Sequence, residues 1–291
     1  MSDLPNVSVV VPVFNAQETI RECIHSLLEL NYPKANRELI LVDNASTDRT
    51  PEILREYRND IQILREAKKG PAAARNRGIL NAGAEIIAFT DSDCIVDRDW
   101  LLNLIPPLQD PLVGIVGGTI LAKRPCNKIE RFGEIIHDHD SAINVFKPPA
   151  VITMNWLSKL SVLKEVNFFD ECFLRCEDVD LSYRILQSGY VFVFRPQALV
   201  YHRNESTYSD LFREGFLHGV YAVQTIKKHR DFVSAFGHRK FNGRSYTAIV
   251  ASLFRCLLMK DTDPSLCSFV FNSGKKMGKM IGSIRFGYLD L

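Results

Sequence analysis

Three polar groups stand where hydrophobic runs end: Pro12-Val13-Phe14-Asn15 closing Val7–Val13, Asp43-Asn44 after 38–42, and Asp91-Ser92-Asp93 after 86–90. Ligands of an open α/β sheet bind outside the carboxyl ends of its strands. If the runs are strands, three carboxylates meet at one edge. An aspartate after a strand is more often a turn or cap residue; the coincidence of several at one edge is what points to chemistry. Alternate residues of an extended segment face opposite ways, so Asp91 and Asp93 do not chelate side by side. One of them holds a hard divalent cation that bridges to phosphate oxygens, and the other holds a hydroxyl or a water. The familiar phosphate cradles are absent: there is no G-x-G, no G-x-x-x-x-G-K-[ST] and no H-E-x-x-H.

The elements that must position these residues follow from the pattern. Val7–Val13 is nearly continuous in β-branched residues, the mark of a strand buried on both faces. Asn15-Ala16-Gln17-Glu18 reads as a capping box opening a helix with Ile20, Ile24, Leu27 and Leu28 on one face. Strand 38–42 follows, then a helix opened by Thr50-Pro51, strand 61–64, and an Ala-rich helix from Gly70-Pro71 to about Ala82. Strands are predicted at 86–90 and 113–119. Alternation at this interval predicts an α/β fold with a mainly parallel, doubly wound sheet. Beyond it, 159–166 and 178–187 read as helices, the second closed by Gly189. Short strands are expected at 190–194 and 198–201, and helices at 208–229 and 245–259.

The 291 residues are 46% hydrophobic and 24% charged, the composition of a folded globular protein. The longest stretch without Lys, Arg, Asp or Glu is the 14 residues from Leu4 to Gln17, short of the ~20 that span a bilayer. An integral membrane protein is therefore not expected, nor a secretory leader, since no basic region precedes an apolar run at Met1–Val7. Seven cysteines without a C-x-x-C pair fit reduced thiols in a cytosolic protein. Residues 1–202 carry 22 basic against 27 acidic side chains, and residues 203–291 carry 14 against 7. The first part suits cations; the second faces anions, with nucleic acid and anionic lipid both answering to charge alone.

In the order VSVVVPVFNAQETIRECIHSLL, ELILVDNASTDRT, GPAAARNRGI, AFTDSDC and FDECFLRCEDVDLSYRILQSGY, residues 7–202 resemble a family 2 glycosyltransferase of the GT-A fold. The resemblance implies a doubly wound, Rossmann-like catalytic domain over residues 1–205, with the nucleotide-sugar side to about residue 120 and the acceptor side over 121–205. Residues 206–291 form a basic, mostly helical extension that matches nothing. The implied reaction moves a sugar, with inversion, from a nucleoside-diphosphate donor to an acceptor hydroxyl of a glycan or lipid-linked acceptor, with Mg2+ or Mn2+ as cofactor and no nucleic acid partner. Position by position, Pro12, Val13, Phe14 and Asn15 line the nucleoside pocket, and Asp43 accepts from the base, favouring UDP or dTDP. Arg75 holds nucleotide and diphosphate, with Lys68 and Lys69 near enough to assist. Asp91 contacts ribose or sugar beside Ser92, and Asp93 coordinates the metal, with His202 as a further ligand.

The acidic pair before the late helix maps onto Glu177-Asp178, with Asp178 as the base and Glu177 next in line. Removal of the hydroxyl proton by one carboxylate suffices for a single displacement, and the start of a helix favours that carboxylate's charge. Asp180 is expected to face elsewhere, in a structural contact. Asn155 and Trp156 fall where such enzymes close over donor and acceptor. The chain departs from the common pattern at Asn167-Phe168, where a glycine pair is usual. Peripheral attachment of 206–291 to an anionic membrane at the inner face of the plasma membrane, packing on the body, and homodimerisation are its candidate roles. Two rivals remain. A nucleotidyltransferase would carry a Gly-rich phosphate loop after its first strand, where this chain has V-P-V-F-N; a non-catalytic binding protein would have lost acidic positions that here are filled.

Overall fold

The computed structural model describes residues 4–238, Thr247 and 265–290. They form two compact units, Met1–Lys123 with His137–His202, and Arg124–Ile136 with Arg203–Leu291. The expected helix over 245–259, with Ile249, Leu253, Cys256 and Leu257, and the Arg239-Lys240 cluster lie outside the described residues.

The first unit is built on eight strands: β1 (Val7–Val13), β2 (Arg37–Asp43), β3 (Gln62–Arg65), β4 (Ile86–Phe89), β5 (Cys94–Val96), β6 (Val113–Ala122), β7 (Trp156–Lys159) and β8 (Val191–His202). Their order in the sheet is β3-β2-β1-β4-β7-β6-β8-β5. Pairing is parallel for β1 with β2 and β4, for β2 with β3 and for β6 with β8; β7 runs antiparallel between β4 and β6, and β5 antiparallel on the β8 edge. The β-branched run of β1 is central because parallel strands are covered on both faces. One face buries Val7, Val9 and Val11 against Ile20, Ile24 and Leu27 of α1 (Ile20–Leu28) and Trp100 of α4 (Trp100–Leu104). The other buries Val10, Ile40 and Val42 with Ala72, Ala74 and Ile79 of α3 (Pro71–Leu80), and Ile87 with Leu181 and Ile185 of α7 (Glu177–Gln187). Helix α2 (Thr50–Glu56) begins with proline at its N1/N2 position, as expected.

Three local expectations change. Helix α1 begins at Ile20 rather than at Asn15, which takes φ +48° and uses its side chain to accept from the Thr47 N–H at 2.8 Å. Its polar groups join the loops after β1 and β2 instead of capping a helix. Strands β5 and β7 are unforeseen, being three and four residues long. Finally, 190–194 and 198–201 belong to one strand, β8, whose register jumps from Gly118↔Arg195 to Thr119↔Leu199. Pro196 cannot donate to a ladder, and the offset is satisfied from the side: Thr119 Oγ1 donates to the Pro196 carbonyl at 2.9 Å.

His139 is buried behind this offset. Ile152 N–H donates to its Nε2 at 3.0 Å, so the proton sits on Nδ1 and is given to the Gly118 carbonyl at 2.9 Å. Burial pushes its pKa from 6.5 down to about 4. The unfolded chain binds a proton below about pH 6.5, so the stability tied to neutral His139 is complete above that pH. It drains away as the pH falls toward 4, by up to about 1.4 kcal/mol per pH unit. Urea midpoints between pH 7 and 5 should fall more steeply for the wild type than for His139→Gln; parallel profiles would rule this histidine out.

The second unit packs α5 (Lys128–Ile136), α6 being the first unit's Leu160–Glu165, with α8 (Tyr208–Lys228), α9 (Arg230–Ala235) and α10 (Ser265–Phe286). Ile129, Phe132, Leu211, Cys267 and Phe271 form its core. Thr207 caps α8 by accepting the Asp210 N–H at 3.1 Å, in keeping with a helix starting at Tyr208. By packing, 124–136 belongs to this unit although it lies within 121–205.

Candidate active site

A cavity of about 460 Å³ opens at the carboxyl ends of β1, β2 and β4, lined among others by Pro12, Val13, Phe14, Asn44, Lys69, Arg75, Asp91, Ser92, Asp93, Arg175 and Glu177. Most of the sequence-derived site residues therefore share one cleft. Asn44 shapes its rim: its Nδ2 donates to the Lys68 carbonyl at 2.7 Å and its Oδ1 accepts the Gly70 N–H at 2.8 Å. Gly70 sits at φ +127°, which a side chain rarely tolerates, and α3 starts directly after it.

Helix α3 delivers Arg75 to the cavity wall, where its side chain is only 4% exposed. Arg75 Nη2 donates to Asp91 Oδ1 at 2.7 Å and Nη1 to Glu177 Oε1 at 2.6 Å. The guanidinium also lies 5.7 Å from the centre of the Phe169 ring. Burial opposes its charge, but Asp91 and Glu177 outweigh this and hold the guanidinium in its protonated form. Burial also pushes the Glu177 carboxyl up; Arg75 pulls it down and the charge of Asp178 pushes it up again, leaving it above the ordinary value. This bridge from the end of β4 to the start of α7 joins residues 91 and 177. A role on nucleotide and diphosphate was expected for Arg75; its two terminal nitrogens instead tie carboxylates together.

Helix α7 presents the acidic pair. Cys176 before it is left-handed at φ +60°, turning the chain so that Glu177 points inward and is buried. Asp178, half-buried, stands beside the cavity rather than in its lining, with its Oδ1 accepting the Val179 N–H at 2.8 Å. Asp180 turns away to Arg184, whose Nε and Nη2 reach its Oδ2 at 2.9 and 2.8 Å. That is the structural contact its position two residues on suggested.

At the other wall β5 pairs with β8 so that Cys94 lies opposite His202. This register brings His202 Nε2 to 3.5 Å from Asp93 Oδ2. The crowded surroundings push the Asp93 carboxyl up, although 41% of its side chain is exposed; His202 pulls it down, by charge and by hydrogen bond, to below its ordinary value. His137 packs edge-on against His202 with ring centres 5.0 Å apart. No spacing or motif around His137 marked it in the sequence. Among the described residues no group of three or more His, Cys, Asp or Glu is placed to hold a metal ion. A hard cation such as Mg2+ takes one or two protein carboxylates and completes its shell with water and substrate phosphate. The carboxylate of Asp93, with the imidazole of His202, fits that limited protein share.

Other expected site residues are not part of the lining. Asp43 is buried just behind the lining, its Oδ1 accepting the Ser46 N–H at 3.0 Å, and Asn15 is engaged with the 46–47 loop. Asn155 and Trp156 do not reach the cavity. Asn155 Oδ1 accepts from Trp100 Nε1 at 2.8 Å, and its Nδ2 donates to the carbonyls of Thr119 and Ala198, closing the register offset of β8. Trp156 is fully buried, 4.6 Å from Phe89 ring to ring, because β7 is an interior strand and the indole packs between Phe89 and Phe169. Lys68 is drawn off by Glu171 at 2.7 Å, so Lys69 is the lysine that lines the cavity. Arg175 lines it too, unforeseen. Asn167 and Phe168 hold φ +61° and +58°, the left-handed backbone that a glycine pair adopts without strain.

Residues 8–165 match the sequence model of Glycosyl transferase family 2. Glycosyltransferase AglE of Haloferax volcanii is 31% identical over 211 residues, covering 69% of this chain and 68% of that protein. The pre-mycofactocin glycosyltransferase of Mycobacterium tuberculosis is 28% identical over 238 residues, 78% of this chain, which spans only 48% of that relative. Among solved structures, the mannosyltransferase PcManGT from Pyrobaculum calidifontis, in complex with GDP-Man and Mn2+, superposes with a TM-score of 0.67 at 20% identity, over 98% of this chain and 87% of that one. That likeness gives the GT-A fold anticipated from the motif order. With the family's sequence pattern over more than half its length, this chain is a glycosyltransferase and belongs to glycosyl transferase family 2.

Proposed function

We propose that the protein transfers a sugar from a nucleoside-diphosphate donor to an acceptor hydroxyl in a single inverting displacement, in glycan or glycolipid biosynthesis. The observation that carries this reading is the cleft itself: Asp91, Asp93, Arg75 and Glu177 line one cavity and Asp178 adjoins it. Pro12, Val13 and Phe14 form an apolar wall for the nucleoside. With Asp43 Oδ1 holding the Ser46 N–H, Oδ2 is the atom to meet the imide of uracil or thymine, which favours UDP or dTDP. Lys69 and Arg175 supply positive charge toward the diphosphate.

Asp93, with His202, would hold a divalent cation, Mg2+ or Mn2+. Such an ion stabilises charge on the departing diphosphate. Arg75 acts as a positioning residue: it fixes Asp91 for the ribose or sugar hydroxyls and anchors the start of α7. Asp178 takes the proton from the acceptor hydroxyl as the new bond forms, which makes an otherwise weak nucleophile competent. The commitment of Glu177 to Arg75 supports giving this work to Asp178.

Incubation with UDP-, dTDP- and GDP-sugars tests the reading. Release of nucleoside diphosphate, lost with EDTA and restored by Mn2+ or Mg2+, is the expected result. Release of inorganic pyrophosphate would assign a nucleotidyltransferase instead, and turnover of no donor in the presence of metal would leave a binding protein.

A further inference from the structure

We infer that Asn44 is a positioning residue for the donor: its buried carboxamide holds the 66–70 loop in the shape that brings Lys69 to the diphosphate. This rests on the reading of Lys69 as a diphosphate contact. Asn44 follows β2 directly and is 5% exposed. Its own N–H donates to the Val13 carbonyl at 2.8 Å, continuing the ladder between β1 and β2. Strand β3 runs parallel beside β2 with Asp43 opposite Arg65, so the chain leaving β3 passes Asn44. Asn44 Nδ2 donates to the carbonyls of Glu66 at 3.2 Å and Lys68 at 2.7 Å, and Oδ1 accepts the Gly70 N–H at 2.8 Å. Groups of residues 66, 68 and 70 thus converge on one amide, and the loop is wound round it.

The chemistry of the side chain fits this task. An amide has hydrogens to give and an oxygen to accept, and here both kinds of group find partners. An aspartate would meet the two carbonyls with no hydrogen to offer. An alanine would withdraw all three hydrogen bonds from the loop. Lys69 is the link to the donor. It lies between the anchored residues Lys68 and Gly70 and lines the cavity. Among the described residues its ammonium has no hydrogen-bond or ion-pair partner. Lys68 differs, for its N–H is held by Glu66 Oε1 and its Nζ by Glu171, each at 2.7 Å. The backbone that carries Lys69 is therefore fixed from Asn44, while its charge is left for a phosphate. A contact whose backbone is already in place loses less freedom on binding.

Calorimetry of the full chain in Mn2+, with the tightest-binding of UDP, dTDP and GDP, tests this through a double-mutant cycle. Lys69→Ala is expected to weaken binding about tenfold, the scale of one hydrogen bond to a charged group. Asn44→Ala should weaken it about fivefold or more, and Asn44→Ala/Lys69→Ala should bind within about twofold of Lys69→Ala alone. An amide that acts through Lys69 has nothing left to position once the lysine is gone. Circular dichroism checks the fold of each variant, and Asn44→Ser replaces Asn44→Ala in the cycle if the alanine variant does not fold. Losses that multiply in the double variant overturn the proposal, since Asn44 would then act on the nucleotide or the fold without Lys69. Wild-type affinity in the Asn44 variant overturns it as well. Unchanged affinity in Lys69→Ala removes the diphosphate role of Lys69, and the proposal with it. Sugar transfer is read separately by nucleoside diphosphate release, so failure of one does not pass for failure of the other.

Discussion

Asp178→Asn is expected to reduce sugar transfer by ~100-fold or more, the scale of general-base catalysis, while nucleotide affinity and thermal stability stay near wild type. Asparagine preserves the size of the side chain and its hydrogen bond to the Val179 N–H, so α7 should start as before. What disappears is the ability to accept the acceptor's proton. Glu177→Gln should behave differently. The Glu177 side chain is 8% exposed and bound to Arg75 at 2.6 Å, so removing its charge leaves the buried guanidinium with one carboxylate in place of two. Loss of a partner in a buried pair is costly, on the order of 3–5 kcal/mol for a full break, and the softened glutamine exchange should still lower the melting temperature. Transfer by both variants, measured beside their melting curves, separates a base from a brace. Wild-type turnover in Asp178→Asn, with an inactive but stable Glu177→Gln, would reverse the two assignments.

Asp93→Ala should remove the metal dependence of donor binding. In calorimetry its affinity for nucleoside diphosphate in Mn2+ should drop at least ~10-fold, to the level the wild type shows in EDTA. Asp93 carries the carboxylate of the pair, and hard cations prefer oxygen; His202→Ala should therefore weaken binding less. The variant also deprives His202 of the carboxylate 3.5 Å away, and with His137 packed on its ring, the imidazole is expected to stay in place. A wild type whose nucleotide affinity is the same with and without Mn2+ would defeat the metal assignment at Asp93.

Reading these residues from sequence succeeded where the signal was local. Strand β1 matches its β-branched run residue for residue, and α3 starts at the proline after Gly70. Both boundaries rest on propensities carried within a few residues. Short β5 and β7 carried too few residues for a period to show. Asn15 looked like a helix cap because a capping asparagine and a loop-bridging one have the same neighbours along the chain. Asn155 and Trp156 illustrate the sharper limit: an amide beside an indole reads equally well as a sugar platform or as packing, and the interior place of β7 chose packing.

The order of the motif blocks, the alternation of strand and helix, and the presence of carboxylates at strand ends were all legible in the chain alone, because each is written in adjacent residues. Which of those groups face the cleft was not. Arg75 between Asp91 and Glu177, His202 beside Asp93, and Asn155 inside the β8 offset depend on partners 16 to 109 residues away. Strand register decides such meetings, and a slip of one residue would turn every side chain of a strand to the opposite face. Local sequence names the reactive groups; only long-range pairing makes them neighbours.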